Sequence, residues 1–275
     1  MKMTEDLDQL LKTLSLKKIR QILPRELDRA TPSKVSYADF LARLFRQEAL
    51  SRRERSVLYR IGQAKLPERW SLDTFPFDRQ PGVHAAQMRQ LAELDWIGAA
   101  KNLVFIGPTG VGKTGLASSL LLKALENGYR GLFLQAQDLF DELYTSLADR
   151  STRTLLDRLS RVDVLLVEEM GYLNLRPEQS NAFFKLMEQR CRRKSTLITT
   201  NLPYDDGYGF LGNKQMVAAL LDRLRHHCQT IQIDGPSLRD PESSSLPRFP
   251  SEPLRPLPPR PSVSRIQFVT GVSFS

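Results

Sequence analysis

The chain has 275 residues, room for one α/β domain of ordinary size with smaller additions. Its 40 Lys and Arg exceed 31 Asp and Glu, a formal charge of +9, which points to a polyanionic partner such as nucleic acid. The two cysteines, Cys191 and Cys228, lack metal-ligand spacing and no long apolar run exists, which excludes a disulfide framework, a zinc centre and a membrane-spanning helix and fits a reducing cytoplasm.

The start, Met1-Lys-Met-Thr-Glu-Asp6, has no apolar core of a signal peptide. Residues 1–66 read as helical. Leu7, Leu10, Leu11 and Leu14 recur at helical spacing. Pro24 and Pro32 are expected to break that pattern. Ser36-Tyr-Ala-Asp39 has the form of a capping box that starts a further helix, with Phe40, Leu41, Leu44 and Phe45 on one face. The opposite face carries Arg43, Arg46, Arg52, Arg53 and Arg55. Arginine rows of this kind neutralise duplex phosphates, or pair with acids at helical spacing.

Pro67, Pro76 and Pro81 then punctuate what reads as a linker into the core, residues 67–240. The core alternates apolar strand candidates (102–106, 131–135, 163–167, 195–200 and 230–233) with helical stretches near 113–127, 138–148, 152–160, 178–193 and 214–227. Such alternation, with near-continuous apolar strands, means a parallel sheet covered on both faces. Ligands bind such sheets at the C-terminal ends of the strands.

Gly107-Pro108-Thr109-Gly110-Val111-Gly112-Lys113-Thr114 lies between the first of these strands and a helix. It has the G-x-x-x-x-G-K-[ST] form of a phosphate loop. Its glycines let successive N–H groups point into one concavity, and the helix N-terminus adds its dipole. Lys113 would reach the outer phosphates and the Thr114 hydroxyl would hold Mg²⁺. Glu168 and Glu169 end a buried strand. The first would bind Mg²⁺ and the second would orient the attacking water. Asn201 ends the next strand and can hydrogen-bond the same water, or begin a turn before Pro203. Arg223 is a candidate for donation to a neighbouring subunit's γ-phosphate, and Arg239 for a second phosphate contact. His226 and His227 read as surface or packing residues. The tail, 241–275, opens on a Pro/Ser-rich stretch and is expected to be disordered.

In this order, the phosphate loop, Glu168-Glu169, Gly171-Tyr-Leu173, Thr199-Thr-Asn-Leu-Pro203 and Leu221-Asp-Arg-Leu224 resemble the IstB/DnaC-type AAA+ ATPases. Glu48, Arg52, Arg53, Ala64-Lys-Leu-Pro67 and Leu72-Asp-Thr-Phe75 resemble the stretch before the ATPase core of IstB proteins, helper ATPases of insertion sequences. The resemblance covers about residues 5–240. It implies an α/β AAA+ P-loop domain at 67–240 with a five-stranded parallel sheet of order 5-1-4-3-2, and a small all-α N-terminal domain at 1–66. It implies ATP and Mg²⁺, hydrolysis of ATP, a homo-oligomeric ring or spiral on duplex DNA, and stimulation of an IstA-type transposase in the bacterial cytoplasm. By position, Lys113 and Thr114 match Walker A, Glu168 and Glu169 Walker B, Asn201 sensor one, Arg223 the arginine finger and Ser237-Leu-Arg239 the sensor-two segment. The resemblance also implies that Phe75 and Phe77 frame the adenine, unless they fill the core. Two alternatives share this core: a helicase loader of the DnaC branch, and an ATP-gated DNA scaffold that hydrolyses little.

Two departures stand out. The family usually carries Asp where Glu168 stands. The extra methylene shifts the carboxylate in a site where about 1 Å can cost 10²-fold, so hydrolysis is expected to slow while ATP binding survives. Asp205-Asp-Gly207-Tyr is the other departure.

Overall fold

The computed structural model describes residues 4–30, 35–171, 173, 175–202 and 227–239. Helices α1 (Glu5–Thr13), α2 (Lys17–Ala30) and the first half of α3 (Tyr37–Gln63) pack around Leu11, Ile19, Leu23 and Leu44. The Ser36 hydroxyl accepts the Asp39 N–H at 3.1 Å, which caps α3 where the sequence places its start. Pro24, however, lies inside α2 and does not end it. Packing of Ile19 and Leu23 before the proline, and of Leu27 after it, on one apolar cluster holds the helix together against a proline cost of about 3 kcal/mol. The apolar stripes are also only partly used. Leu11 and Leu44 are buried, while Leu10, Leu14, Leu41 and Phe45 are at least half exposed.

Glu48, on α3, joins these helices. It is 2% exposed, and its Oε2 accepts the Lys18 and Ile19 N–H groups at 2.7 and 3.0 Å. It thus serves as a cap for α2 supplied from another helix. Its Oε1 accepts from Arg52 and Arg55, each at 3.1 Å. Two of the five arginines on this face are therefore tied to Glu48, the acid pairing that helical spacing allows, and Arg43 faces Glu26 at 3.6 Å. Burial pushes the Glu48 carboxyl up, but the Ile19 N–H, Arg52 and the Lys18 N–H outweigh it and hold the group below the ordinary 4.5. A depressed folded pKa gives stability above the unfolded value, lost as pH falls through the folded one. Urea unfolding is expected to show Glu48→Ala about 2–3 kcal/mol less stable at pH 7. The gap between the two proteins should close as pH drops below about 4. A gap independent of pH would contradict the ionised cap.

The end of α3 belongs to the main core. Ile61, Ala64 and Leu66 join that cluster, and the Phe133 N–H donates to the Ala64 carbonyl at 2.7 Å. The proline-punctuated stretch is not a linker. Phe75, Val83, Met88, Leu91, Leu94, Trp96 and Ile97 are buried in the same cluster. Its prolines border short 3-10 turns at Leu72–Thr74 and Phe77–Arg79 and the helices α4 (Ala85–Leu91) and α5 (Asp95–Gly98). The apolar residues between those breaks face inward.

The core continues through β1 (Asn102–Ile106), α6 (Lys113–Glu126), β2 (Gly131–Gln135), α7 (Ala136–Ala148), α8 (Thr152–Ser160), β3 (Val164–Glu168), α9 (Pro177–Arg190), β4 (Ser195–Thr200) and β5 (Cys228–Gln232). The five strands are parallel in the order β2-β3-β4-β1-β5, the expected order read from the other edge. Adjacent residues of β1 face opposite layers. Leu103 and Phe105 meet α6 and the 61–97 stretch, while Val104 meets α7, α8 and α9. A sheet covered on both faces explains why β3 and β4 are wholly buried.

The buried guanidinium of Arg190 closes the second layer. It donates to the carbonyls of Leu159, at 2.7 Å, Val162, at 3.0 Å, and Ser195, and to the Thr196 hydroxyl. Burial lowers its pKa to about 9. No described helix is long and apolar enough to cross a membrane. The expected helix near 214–227, with Arg223, and the tail lie outside the described residues, except for His227. His227 accepts from Arg192 at 2.9 Å, in line with a packing residue.

Candidate nucleotide-binding site

The strand order sets the site. β4 lies between β1 and β3, so three C-terminal strand ends converge: the loop after β1, the acids ending β3 and Asn201 after β4. This is the crevice where parallel sheets place their ligands.

The loop 107–114 takes the conformation its glycines allow. Gly110 and Gly112 have φ of +88° and +94°, in the left-handed region that side chains disfavour. Gly112 also has no room for a side chain, since a Cβ would lie 2.7 Å from the Phe75 ring. Val111 points inward and is buried. Lys113 Nζ donates to the Gly107 and Pro108 carbonyls at 2.8 and 2.7 Å, folded back over its own loop. Burial holds this ammonium below the ordinary lysine value, with Arg239 acting in the same sense and Glu168 and Glu169 against it.

Thr114 opens α6, and its Oγ1 donates to Glu168 Oε1 at 2.5 Å. Glu168 is buried, at 6% exposure. Burial raises its carboxyl above the ordinary value and the charge of Glu169 adds to this, while Thr114, Lys113 and Arg239 oppose. Glu169 is exposed to the cleft and has φ of +57°, a left-handed backbone that costs a non-glycine residue about 1–3 kcal/mol. Thr199 of β4 holds it there. The Thr199 hydroxyl accepts the Glu169 N–H at 2.9 Å and its carbonyl accepts the Met170 N–H at 2.8 Å.

The cleft has a volume of about 520 Å³. It is lined by polar Thr109, Lys113, Thr114, Glu168, Glu169 and Asn201, by apolar Trp70, Phe75 and Leu238, and by Arg239. The Leu238 N–H donates to the Gly110 carbonyl at 2.9 Å, which fastens the segment after β5 to the loop. Every expected site residue among the described ones is thus in the loop or the cleft beside it. Arg223 is outside the described residues. Phe75 lines the cleft, whereas Phe77 meets it edge-on at 4.9 Å and packs on the core. Sequence reasoning missed Trp70, which lies against Gly115 at the start of α6, and Gln135, which pairs with Glu168 across the β2–β3 ladder. Trp70 stands five residues before Phe75, a proximity that carries no motif. Polar Gln135, at the end of an apolar strand, was the one available signal.

A sequence profile for the family described as IstB-like ATP binding protein matches residues 9–245. A Pseudomonas aeruginosa protein named as an ATP-binding protein of insertion sequence IS21 is 33% identical over 234 residues, 85% of this chain and 88% of that one. A Geobacillus stearothermophilus protein named for ATP binding in insertion sequence IS5376 is 33% identical over 210 residues, 76% and 84% of the two chains. Among solved structures, DnaI superposes with a TM-score of 0.52 at 23% identity, over 62% of this chain and 91% of that one. DnaA of Aquifex aeolicus bound to AMPPCP gives 0.52 at 18% identity, over 62% and 51%. These two likenesses concern the fold, the AAA+ P-loop α/β architecture.

Proposed function

Because this chain belongs to the IstB-like ATP-binding family, we propose that it is an ATP-driven helper of DNA transposition, which assembles on duplex target DNA and stimulates an IstA-type transposase. The observation that carries the ATPase part is the convergence of Lys113, Thr114, Glu168, Glu169 and Asn201 on one cleft. Relatives named for insertion sequences, similar over most of their length, favour transposition over helicase loading.

In this reading the loop N–H groups and Lys113 take the outer phosphates, with Lys113 leaving the Gly107 and Pro108 carbonyls to do so. The base lies against Trp70, Phe75 and Leu238. Thr114 and Glu168 offer the hard oxygens that Mg²⁺ takes, and the ion when bound supplies neutralisation of phosphate charge. Glu169 orients and deprotonates the attacking water, with Asn201 beside it. Arg239, in the cleft lining, would contact the outer phosphates. By the family resemblance, Arg223 would serve the site of a neighbouring subunit, which would make ATP a clamp between protomers in a ring or spiral. Work of this kind belongs in the bacterial cytoplasm.

The N-terminal helices supply partner contact. Arg46 and Arg53 are exposed and suit duplex phosphates, while Arg52 and Arg55 are partly committed to Glu48. Leu10, Leu14, Leu41 and Phe45 suit a protein neighbour. Equilibrium titration of the full chain into labelled duplex DNA tests this reading. Binding should tighten at least about 10-fold with a non-hydrolysable ATP analogue over ADP. Equal affinity under both conditions would refute ATP-gated assembly.

One observation favours a second reading, a scaffold that binds ATP and turns over slowly. Glu168, one methylene longer than the aspartate expected there, is bonded directly to the Thr114 hydroxyl at 2.5 Å, so the two groups that would hold Mg²⁺ are engaged with each other.

A further inference from the structure

Gln80 lies outside every motif, yet it is fully buried. It precedes the turn at Pro81, and its backbone is fixed on both sides. Its N–H donates to the Phe77 carbonyl, and its carbonyl accepts from Val83, both at 3.1 Å. Its side-chain Nε2 makes two further bonds, each 3.1 Å long, to the carbonyls of Val111 and Pro236. Val111 is in the phosphate loop. Pro236 is three residues before Arg239, on the segment that follows β5. One amide therefore joins three parts of the chain that only the fold brings together.

The surroundings are fitted to this amide. A Cβ on Gly235 would lie 1.7 Å from Gln80 Oε1. Oε1 itself has no hydrogen-bond partner among the described residues, an uncommon state for a buried carbonyl. The neutral –NH₂ group donates to both carbonyls at once, which neither a carboxylate nor a thioether can do, so neither Glu nor Met replaces it. On its far side, the segment is fastened to the same loop by the Leu238–Gly110 bond.

We propose that Gln80 is a positioning residue for recognition of the γ-phosphate. It locks the segment carrying Arg239 to the phosphate loop, so that Arg239 is held over the outer phosphate that the loop binds. The inference rests on the ATP reading above. It goes further by assigning discrimination of ATP from ADP to a residue that touches neither nucleotide.

The test is equilibrium binding of fluorescent ATP and ADP analogues to the full chain with Mg²⁺, for wild type, Gln80→Met, Arg239→Ala and the double variant. Binding is read without turnover, so a slow hydrolysis rate does not obscure it. Gln80→Met should lower the ATP-over-ADP preference about 10-fold or more, as Arg239→Ala does, with ADP affinity within about 3-fold of wild type. The double variant should be no worse than Arg239→Ala alone. Gly235→Ala, which displaces the amide from outside, should repeat the effect even if Gln80→Met fails to fold. Multiplying losses, an unchanged preference, or an equal loss of ATP and ADP affinity would overturn the proposal and leave the ATP reading standing. A wild-type chain that binds neither nucleotide would overturn both.

Discussion

Lys113→Ala should abolish ATP binding, with affinity falling by at least about 100-fold and the fold intact. The ammonium is half-buried, and its present partners are carbonyls of its own loop. Those contacts hold the lysine at the loop, and phosphate oxygens would replace them with charge-assisted bonds. Removing the side chain exposes no core residue, so the melting temperature without nucleotide should change little. Isothermal titration with ATP and Mg²⁺ checks the first claim and thermal unfolding the second. Undiminished affinity would mean that the cleft binds something else.

Glu169→Gln should separate binding from hydrolysis. Loss of a general base costs about 10²–10⁴ in rate, whereas the phosphate loop that binds the nucleotide is untouched. The glutamine keeps the shape, and the Thr199 bonds to the 169–170 backbone are unaffected. The expected result is near-normal ATP affinity with phosphate release reduced at least about 100-fold. Glu168→Asp provides the contrasting measurement. Shortening that side chain should break the direct bond to Thr114 and raise the rate if Glu168 is what slows it. Lower turnover in Glu168→Asp would show that the site has adapted to the longer acid.

The fold was legible in the sequence where physics is local. β1, β2 and β4 have the expected boundaries, the first two because each is a short apolar run closed by polar or turn residues, β4 because β-branched threonines flank its apolar Leu197-Ile198 pair. β5 begins at Cys228, two residues earlier than expected. Gln229 and Thr230 give an edge strand a weak apolar pattern, and only the ladder to β1 defines its start. The candidate site was legible because a phosphate loop constrains residue type at fixed spacing. What escaped depends on distant chain meeting. The pairing of Arg52 and Arg55 with Glu48 follows from α2 delivering its N-terminus to that carboxylate. Gln80 acquires two carbonyl partners only when the stretch before the sheet meets the stretch after β5. Pro24 was misread because packing on both sides of it outweighs the local rule.

The central claim is that ATP in the cleft drives assembly on duplex DNA. Electron microscopy of the full chain with duplex DNA and a non-hydrolysable ATP analogue tests it most directly. The account predicts rings or spirals on DNA with the analogue, absent for Lys113→Ala and with ADP. Particles that remain single protomers with the analogue, or that form equally well without nucleotide, would contradict it.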